Sequence, residues 1–290
     1  MAFAAIQGMT PTEVQPAAAS ELVAPSEIPG FTLVPLRAVP HSPEDGALDE
    51  YCEQYRAETL SDLGHLIQKQ GWIVTSEATL GRYRVVSFAS GFEPGTSALC
   101  FARNANIAIF DGQQLLAIAY AAHGKDRPLG KVEPLESGAL LIWSDPPGMP
   151  VGELHADGGK LRLTKLSPQR SFCHGKASVP NVYGKSIAAA RRILMASGWR
   201  PRRPDEKPGE GDMARTLARQ GLIEAEICSG TGVGYCGFGY QGKVGQLEVT
   251  TVGGEPDPAA NTVVNYEVIC PKGNERATVG QPRQMRDSIG

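Results

Sequence analysis

The sequence predicts an α+β protein of two small domains, each a helix packed on an antiparallel sheet. Two observations predict this fold class. Each structured block opens with a helical pattern, and short strand-like segments separated by turn residues follow it. At 290 residues the chain is long enough for about two domains. Its 41% hydrophobic and 20% charged residues are typical of globular proteins, so packed cores are expected.

Composition divides the chain into four segments. Residues 1–44 are rich in Ala, Pro, Ser and Thr and predict a flexible leader, with a short docking segment at 31–36. The polar residues 273–290 predict a disordered tail. Between these ends we expect an N-terminal α+β domain over 45–168 and a C-terminal α+β domain over 169–272.

The N-terminal domain is predicted to open with a helix over about residues 48–70. Apolar side chains recur there at spacings of three and four: Tyr51, Tyr55, Leu63, Leu66 and Ile67. Gly71 supplies the left-handed position at which a helix ends. Strands are expected where β-branched and aromatic residues concentrate, at 72–76, 83–88, 98–102, 106–110, 115–121, 140–144 and 160–166. Asp111-Gly112 predicts a hairpin turn between two of them.

The C-terminal domain repeats the order of a helix followed by strands. A helix is predicted from about Ser186 to Ser197, with Gly198 at its end, and a shorter one over 212–220. Strands are expected at 223–228, 235–240, 246–252 and 263–270.

A divergent tandem duplication would explain this repeated order. Gly71-Trp72 and Gly198-Trp199 end the first helix of each block, and Cys100 and Cys228 are separated by nearly the same interval as the two tryptophans. A cysteine also precedes each of these helices.

The cysteines predict disulfides and an oxidising compartment, because their number is even and no C-x-x-C spacing indicates a zinc or redox pair. They are Cys52, Cys100, Cys173, Cys228, Cys236 and Cys270. A duplication would imply the bridges Cys52–Cys100, Cys173–Cys228 and Cys236–Cys270. A local Cys228–Cys236 bridge is the main alternative to the last two, and buried reduced cysteines in a cytosolic protein are the alternative to all three.

Charge and hydropathy restrict the partners and the location. A net charge of −3 gives no basic footprint for nucleic acid, and no apolar run reaches the roughly 20 residues of a membrane-spanning helix. The first residues lack an intact signal peptide, but Ala2-Phe3-Ala4 has the small-x-small form of a cleavage site, which fits a removed leader or a start codon placed too late. We expect a periplasmic or secreted protein.

The segment Val179-Pro180-Asn181-Val182-Tyr183-Gly184-Lys185-Ser186, continuing to Gly198-Trp199, resembles the opening of a PASTA domain. That family implies small extracellular modules that recognise cell-wall peptidoglycan or related ligands. The sequence departs from the family pattern at the second helix and at the motif between Cys228 and Cys236.

A longer stretch resembles a group of uncharacterised proteobacterial exported or envelope proteins. It includes Glu226-Ile227-Cys228-Ser229-Gly230-Thr231-Gly232, Cys236-Gly237-Phe238, Leu247-Glu248-Val249-Thr250-Thr251 and Cys270. The resemblance implies export and disulfides, and it implies no activity.

The glycine-rich loop after the strand at 223–228 is the candidate binding site. Its predicted binding residues are Gly230, Thr231, Gly232 and Tyr235. A phosphate-binding loop would need a helix after it, whereas 235–240 is strand-like. A hairpin loop is therefore expected.

No catalytic, cofactor or metal site is predicted. Cys173-His174 are neighbours that a strand would point to opposite faces, and the five histidines show no H-E-x-x-H spacing. These patterns favour a non-enzymatic protein that binds peptidoglycan or another envelope protein. One alternative is an inhibitor or immunity protein against a cell-wall hydrolase. Another is a hydrolase with an unrecognised site, for which Glu77, Glu93 and Asp111 are candidate carboxylates.

Overall fold

The computed structural model describes residues 22–44, 46, 48, 50–95, 99–121, 129–144, 148–230 and 232–271. We call the described residues up to 164 the N-terminal half and those from 165 onward the C-terminal half. The N-terminal half contains β1 (Phe31–Pro35), a 3₁₀ helix (Glu50–Tyr55), α1 (Asp62–Gln68), β2 (Ile73–Leu80), β3 (Tyr83–Ala89), β4 (Gly91–Pro94), β5 (Cys100–Arg103), β6 (Asn106–Asp111), β7 (Gln114–Ala121), β8 (Leu129–Pro134), β9 (Leu140–Ser144), β10 (Pro150–Asp157) and β11 (Lys160–Thr164). The C-terminal half contains β12 (Gln169–Phe172), β13 (Ala177–Pro180), α2 (Ile187–Ala196), β14 (Arg200–Pro201), α3 (Met213–Arg219), β15 (Ala225–Cys228), β16 (Cys236–Gln241), β17 (Gln246–Val252) and β18 (Thr262–Ile269).

The N-terminal half has three layers. Its middle layer is a five-stranded antiparallel sheet in the order β1-β7-β6-β3-β2. One face of this sheet packs against α1 through Ile67, Phe88 and Phe110. The other face shares a core with the four-stranded sheet β11-β10-β9-β8, in which Ile107 and Leu140 are fully buried. Both faces are apolar, so a sheet and a helix are both needed to cover them.

The two sheets are linked at their edges by side chains. Thr75 Oγ1 in β2 donates to the carbonyl of Gly130 in β8 at 2.7 Å, and the Val132 N–H donates to Ser76 Oγ at 2.9 Å. These bonds satisfy backbone groups along the edge of β8 that no described strand pairs.

The single helix predicted over 48–70 is wrong, because the chain leaves helical geometry between the 3₁₀ helix and α1. The Ala57 N–H donates to the Val74 carbonyl at 2.9 Å, and the Ser61 N–H donates to Glu77 Oε1 at 2.9 Å. Ser61 then caps α1. Long-range hydrogen bonds to β2 therefore replace one turn of the predicted helix, and Tyr51 is 67% exposed instead of facing a core.

Strand β1 lies inside the segment for which the sequence predicted a flexible leader. It pairs antiparallel with β7, from Phe31 opposite Ala121 to Pro35 opposite Ala117, at the position of the expected docking segment. Further upstream, the Ala24 N–H donates to the Leu161 carbonyl at 3.0 Å. Residues from 22 onward thus add to both sheets of the N-terminal half.

The C-terminal half is a two-layer α+β unit. Its antiparallel sheet has the order β14-β16-β17-β18, and β15 also pairs with β16. The inner face buries Phe238, Tyr240 and Val249 beneath α2, which contributes Ile187 and Leu194. Helix α2 forms where the sequence predicts it, since the Ser186 side chain caps its start and Gly198 follows its end at φ +92°.

All six cysteines are bridged, and two of the predicted pairings are wrong. Cys52–Cys100 is confirmed, and the other bonds are Cys173–Cys270 and Cys228–Cys236. The reason is strand register: Cys228 lies directly opposite Cys236 in the β15–β16 pair. The Cys173–Cys228 and Cys236–Cys270 bonds implied by a duplication therefore cannot form.

The three bridges indicate an oxidising, non-cytoplasmic compartment. No helix in the described part of the chain has both the length and the apolar character that crossing a bilayer requires.

Candidate binding surface

The predicted binding loop is clasped at both ends. The Cys228–Cys236 bond closes it across eight positions of sequence, and the Ser229 N–H donates to the Tyr235 carbonyl at 2.7 Å just inside the bond. A short covalent loop restricts the conformations that the connecting residues can adopt. The loop is therefore held in place by its own base.

A second turn supports the loop from the side. The Gly253 N–H donates to the Val233 carbonyl at 2.9 Å, and Gly234 lies against Gly254. A Cβ at Gly234 would lie 2.6 Å from the Gly254 Cα, and Gly234 has φ +64°. Only glycine tolerates both the left-handed backbone and this close approach.

The structure places three of the four predicted binding residues. Gly230 and Gly232 are exposed at the tip of the loop, and Tyr235 is half-buried at its base. Thr231 lies outside the described residues. Burial raises the pKa of the Tyr235 phenol, and the neighbouring Tyr55 of the N-terminal half raises it further. The Tyr235 phenol therefore stays protonated at neutral pH.

The 3₁₀ helix presents aromatic side chains next to a buried disulfide. Tyr55 packs on Phe92 with ring centroids 5.6 Å apart, and Tyr51 is largely exposed. Between them in sequence, Cys52 is fully buried and bonded to Cys100. The bond fixes the backbone from which the exposed tyrosine projects.

Strand alternation adds one more aromatic residue. Cys100 of β5 is fully buried, so its neighbour Phe101 points outward and is 41% exposed. We call Tyr51, Tyr55, Phe101 and Tyr235 the aromatic surface. It contains residues from both halves, and two disulfides hold the segments that carry it.

The chemistry of such a surface suits binding. Tyrosine and phenylalanine rings offer large rigid apolar area, and the phenol groups add a polar end that can donate or accept a hydrogen bond. Sugar rings present C–H faces and hydroxyl edges that match both properties. The sequence does not predict this surface, because the spacing of Tyr51 and Tyr55 indicates the buried face of a long helix.

The candidate carboxylates of the hydrolase alternative lie on three different strands. Glu77 of β2 accepts from the Ser61 N–H and hydroxyl and pairs with Arg84 at 3.6 Å. Asp111 ends β6 and pairs with Arg82 at 3.0 Å, while Glu93 lies on β4. A surface concavity of 620 Å³ over α1 is lined by none of them, but by Asp62, His65, Gln68 and Lys69.

The described residues offer neither a free thiol beside His174 nor a cluster of metal ligands. Cys173 is in a disulfide, so it offers no thiol beside His174. Within the same residues, no group of three or more His, Cys, Asp and Glu side chains could hold a metal ion.

No protein-family model matches the chain, and no curated protein or solved structure matches it.

Proposed function

We propose that this is a periplasmic or secreted protein that acts by binding, and that its ligand is cell-wall glycan. The observation that carries the proposal is the aromatic surface, whose most exposed members, Tyr51 and Phe101, each adjoin a cysteine of the buried Cys52–Cys100 bond. Tyr235 belongs to the other half, and Tyr55 contributes to its raised pKa after burial. Exposed aromatic rings on a covalently braced backbone favour a rigid, repeating ligand, because binding then orders few side chains.

The compartment and the resemblances support the same ligand. Three disulfides favour export, and peptidoglycan is a polymer of the exported space. The PASTA-like segment at 179–199 implies peptidoglycan recognition, and the likeness to envelope proteins implies export. Another envelope protein is the alternative partner. A tandem duplication of the two halves stays a prediction.

Retention on purified peptidoglycan tests the proposal. The intact protein is incubated with washed sacculi, pelleted, and quantified in the bound and free fractions. We expect saturable retention, and Tyr51→Ala combined with Tyr235→Ala should weaken it by about tenfold or more, since each aromatic contact contributes roughly 1 kcal/mol. A Tyr120→Ala variant is the matched control, because Tyr120 is 36% exposed on β7 and lies outside the aromatic surface.

The results distinguish an error in the proposed ligand from an error in the proposed binding surface. If the unmodified protein is not retained, glycan is not the ligand. If the double variant and the Tyr120→Ala control are retained equally well, glycan binds elsewhere and the aromatic surface is not the site. Thermal melting of each variant shows whether the fold is preserved.

A second candidate function is inhibition of a cell-wall hydrolase. The clasped loop favours it, because a loop fixed at its base loses little entropy when it enters a cleft. Gly230 and Gly232 at its tip are exposed. An assay of lysozyme-type hydrolysis with added protein is the test. Inhibition that disappears when both residues are changed to Ala would support this function, whereas unchanged hydrolysis with the unmodified protein would exclude it for that enzyme class.

A further inference from the structure

The turn between β12 and β13 has an unusual backbone. Cys173 and His174 have φ values of +59° and +58°, and Gly175 follows at +77°. The left-handed region is unfavourable for residues that carry a Cβ, by roughly 1–2 kcal/mol each. Two adjacent residues of this kind persist only where the surrounding structure holds them.

The N-terminal half provides one of the contacts that hold this turn. The N–H groups of His174 and Gly175 both donate to the carboxylate of Glu136, at 2.9 and 3.1 Å. Consecutive backbone N–H groups in a left-handed turn form a concave anion site. Glu136 lies in the connection between β8 and β9, so the turn is a docking point between the halves.

The β12 strand that leads into the turn carries the second contact. Arg170 Nη1 donates to the Tyr183 hydroxyl at 2.7 Å, and Nη2 lies 3.4 Å from Glu133 of the N-terminal half. The guanidinium also lies over the rings of Phe172 and Tyr266, at 5.0 and 5.6 Å. Its side chain is only 9% exposed. The β12–β13 hairpin is therefore the element through which the C-terminal half binds the N-terminal half at this junction.

The disulfide of the turn differs from the other two in its accessibility. Cys52 and Cys100 are fully buried, and in the third bond Cys236 is 1% exposed and Cys228 is half-buried. Cys270, which directly follows β18, is exposed, while its partner Cys173 is 6% exposed. A thiolate in solution therefore has easier access to this bond, through Cys270, than to the other two, and access is one determinant of exchange rates.

We propose that the Cys173–Cys270 bond is a redox latch that holds the strained turn in its docking conformation. A reduced dithiol is the reactant. One of its thiolates attacks the Cys270 sulfur, the S–S bond breaks, and Cys173 leaves as a thiolate that takes up a proton. The second thiol of the reductant then closes its own disulfide and releases Cys270 as a thiol. Two electrons and two protons pass from the dithiol to the two cysteines.

Once the bond is open, nothing covalent ties the turn to β18. The turn can then relax out of the left-handed region, which removes the paired N–H donors from Glu136. Arg170 loses the fixed backbone that positions its guanidinium. The halves consequently lose both contacts at the hairpin, whereas the hydrophobic cores of the N-terminal half contain neither cysteine of this bond.

Graded reduction of the full-length protein tests the order of opening. The protein is treated with increasing dithiothreitol, newly formed thiols are alkylated, and the modified cysteines are located by mass spectrometry. We expect Cys173 and Cys270 to be modified at reductant concentrations that leave the other four cysteines bonded. Earlier opening of either other bond would overturn the proposal.

Hydrogen exchange tests the structural consequence. In a Cys173→Ser, Cys270→Ser variant, amides of β12, the turn and β13 should exchange about tenfold faster or more, while those of β16 and β17 stay protected. Cys228→Ser with Cys236→Ser is the control that removes a bridge from the same half and should leave the hairpin protected. Glu136→Ala keeps all bridges and should loosen the same hairpin. Unchanged exchange at the hairpin, or loss of protection throughout the C-terminal half, would show that the bond is not a latch.

Discussion

Removing the guanidinium of Arg170 tests the energetics of the junction between the halves. Arg170→Ala deletes a hydrogen bond of 2.7 Å to the buried Tyr183 hydroxyl and the contacts with the Phe172 and Tyr266 rings. It also deletes an ion pair with Glu133 whose carboxylate is 41% exposed. We expect the variant to be less stable than the unmodified protein by about 3 kcal/mol.

The magnitude follows from the separate contributions. A hydrogen bond from a charged donor contributes about 2 kcal/mol, and its loss leaves the Tyr183 hydroxyl buried without that donor. The two cation–π contacts add about 1 kcal/mol. The Glu133 pair adds little, since solvent screens a half-exposed carboxylate. Burying the guanidinium is itself unfavourable, and Arg170 Nε has no hydrogen-bond partner among the described residues, so alanine regains part of the loss.

Urea unfolding, followed by far-UV circular dichroism, measures the change in the free energy of unfolding. Arg82→Ala is the matched control, because Arg82 also forms an ion pair and lies 5.0 Å from the centroid of the Tyr83 ring, yet its side chain is 68% exposed. We expect the control to lose less than about 1 kcal/mol. Equal losses in the two variants would refute the claim that burial gives the Arg170 contacts their strength.

Three further predictions concern pH, loop packing and helix capping. Burial raises the pKa of Tyr240 and Tyr266 above the ordinary value of 10. The stability that the two phenols contribute is therefore complete below about pH 10 and is lost above it, by about 3 kcal/mol per pH unit for the pair. Urea midpoints between about pH 9 and 11 measure this loss, and a midpoint that does not change with pH would contradict it. Gly234→Ala should destabilise the protein by about 2–3 kcal/mol, because the left-handed backbone and the close backbone neighbour both oppose a Cβ. In the control Gly112→Ala, at φ +58°, the added Cβ meets no atom within 4 Å, so the loss should be about 1 kcal/mol. Thermal melting that ranks the two variants in the reverse order would contradict this account of the loop. Ser186→Ala removes the side-chain cap of α2 and should cost about 1 kcal/mol, with Ser186→Asp restoring the stability in the same assay.

Local sequence signals were sufficient to predict an element that satisfies its own hydrogen bonds or alternates regularly between more and less buried residues. Helix α2 has a serine cap, an apolar stripe and a terminal glycine, and it was predicted within one residue at each end. Strand β17 alternates between half-buried and buried residues along its whole length and lies where predicted. The hairpin predicted at Asp111-Gly112 joins β6 to β7, with Gly112 in the left-handed region.

Strand β10 was not predicted, because its sequence hides the alternation. It begins with a proline and contains Glu153, which is 1% exposed. That carboxylate accepts from the N–H and hydroxyl of Ser167, at 2.8 and 2.7 Å, and lies 3.1 Å from His155 Nε2. A buried polar side chain is tolerated only when it has such partners, and a partner as distant in sequence as Ser167 cannot be inferred from a local pattern.

The aromatic surface was predicted only in part, because some of its residues depend on contacts between distant parts of the sequence. The glycine-rich loop and Tyr235 were identified because glycines between two strands indicate an exposed loop. Tyr51 and Tyr55 were instead expected in a core, since their spacing suits a helix that the chain does not form. Hydrogen bonds from residues 57 and 61 to β2 end that helix, and no sequence signal marks them.

Taken alone, the sequence determined the α+β class, the bridged cysteines and the elements whose own turn, cap and alternation signals are complete. These properties depend on short-range sterics and on composition, which are read directly from neighbouring residues. Tertiary structure decided which cysteines pair, that a second sheet covers the N-terminal half, and that Tyr51 is exposed. Pairings of this kind depend on register and on contacts between residues far apart in the chain, and many arrangements with similar local patterns differ only in those contacts.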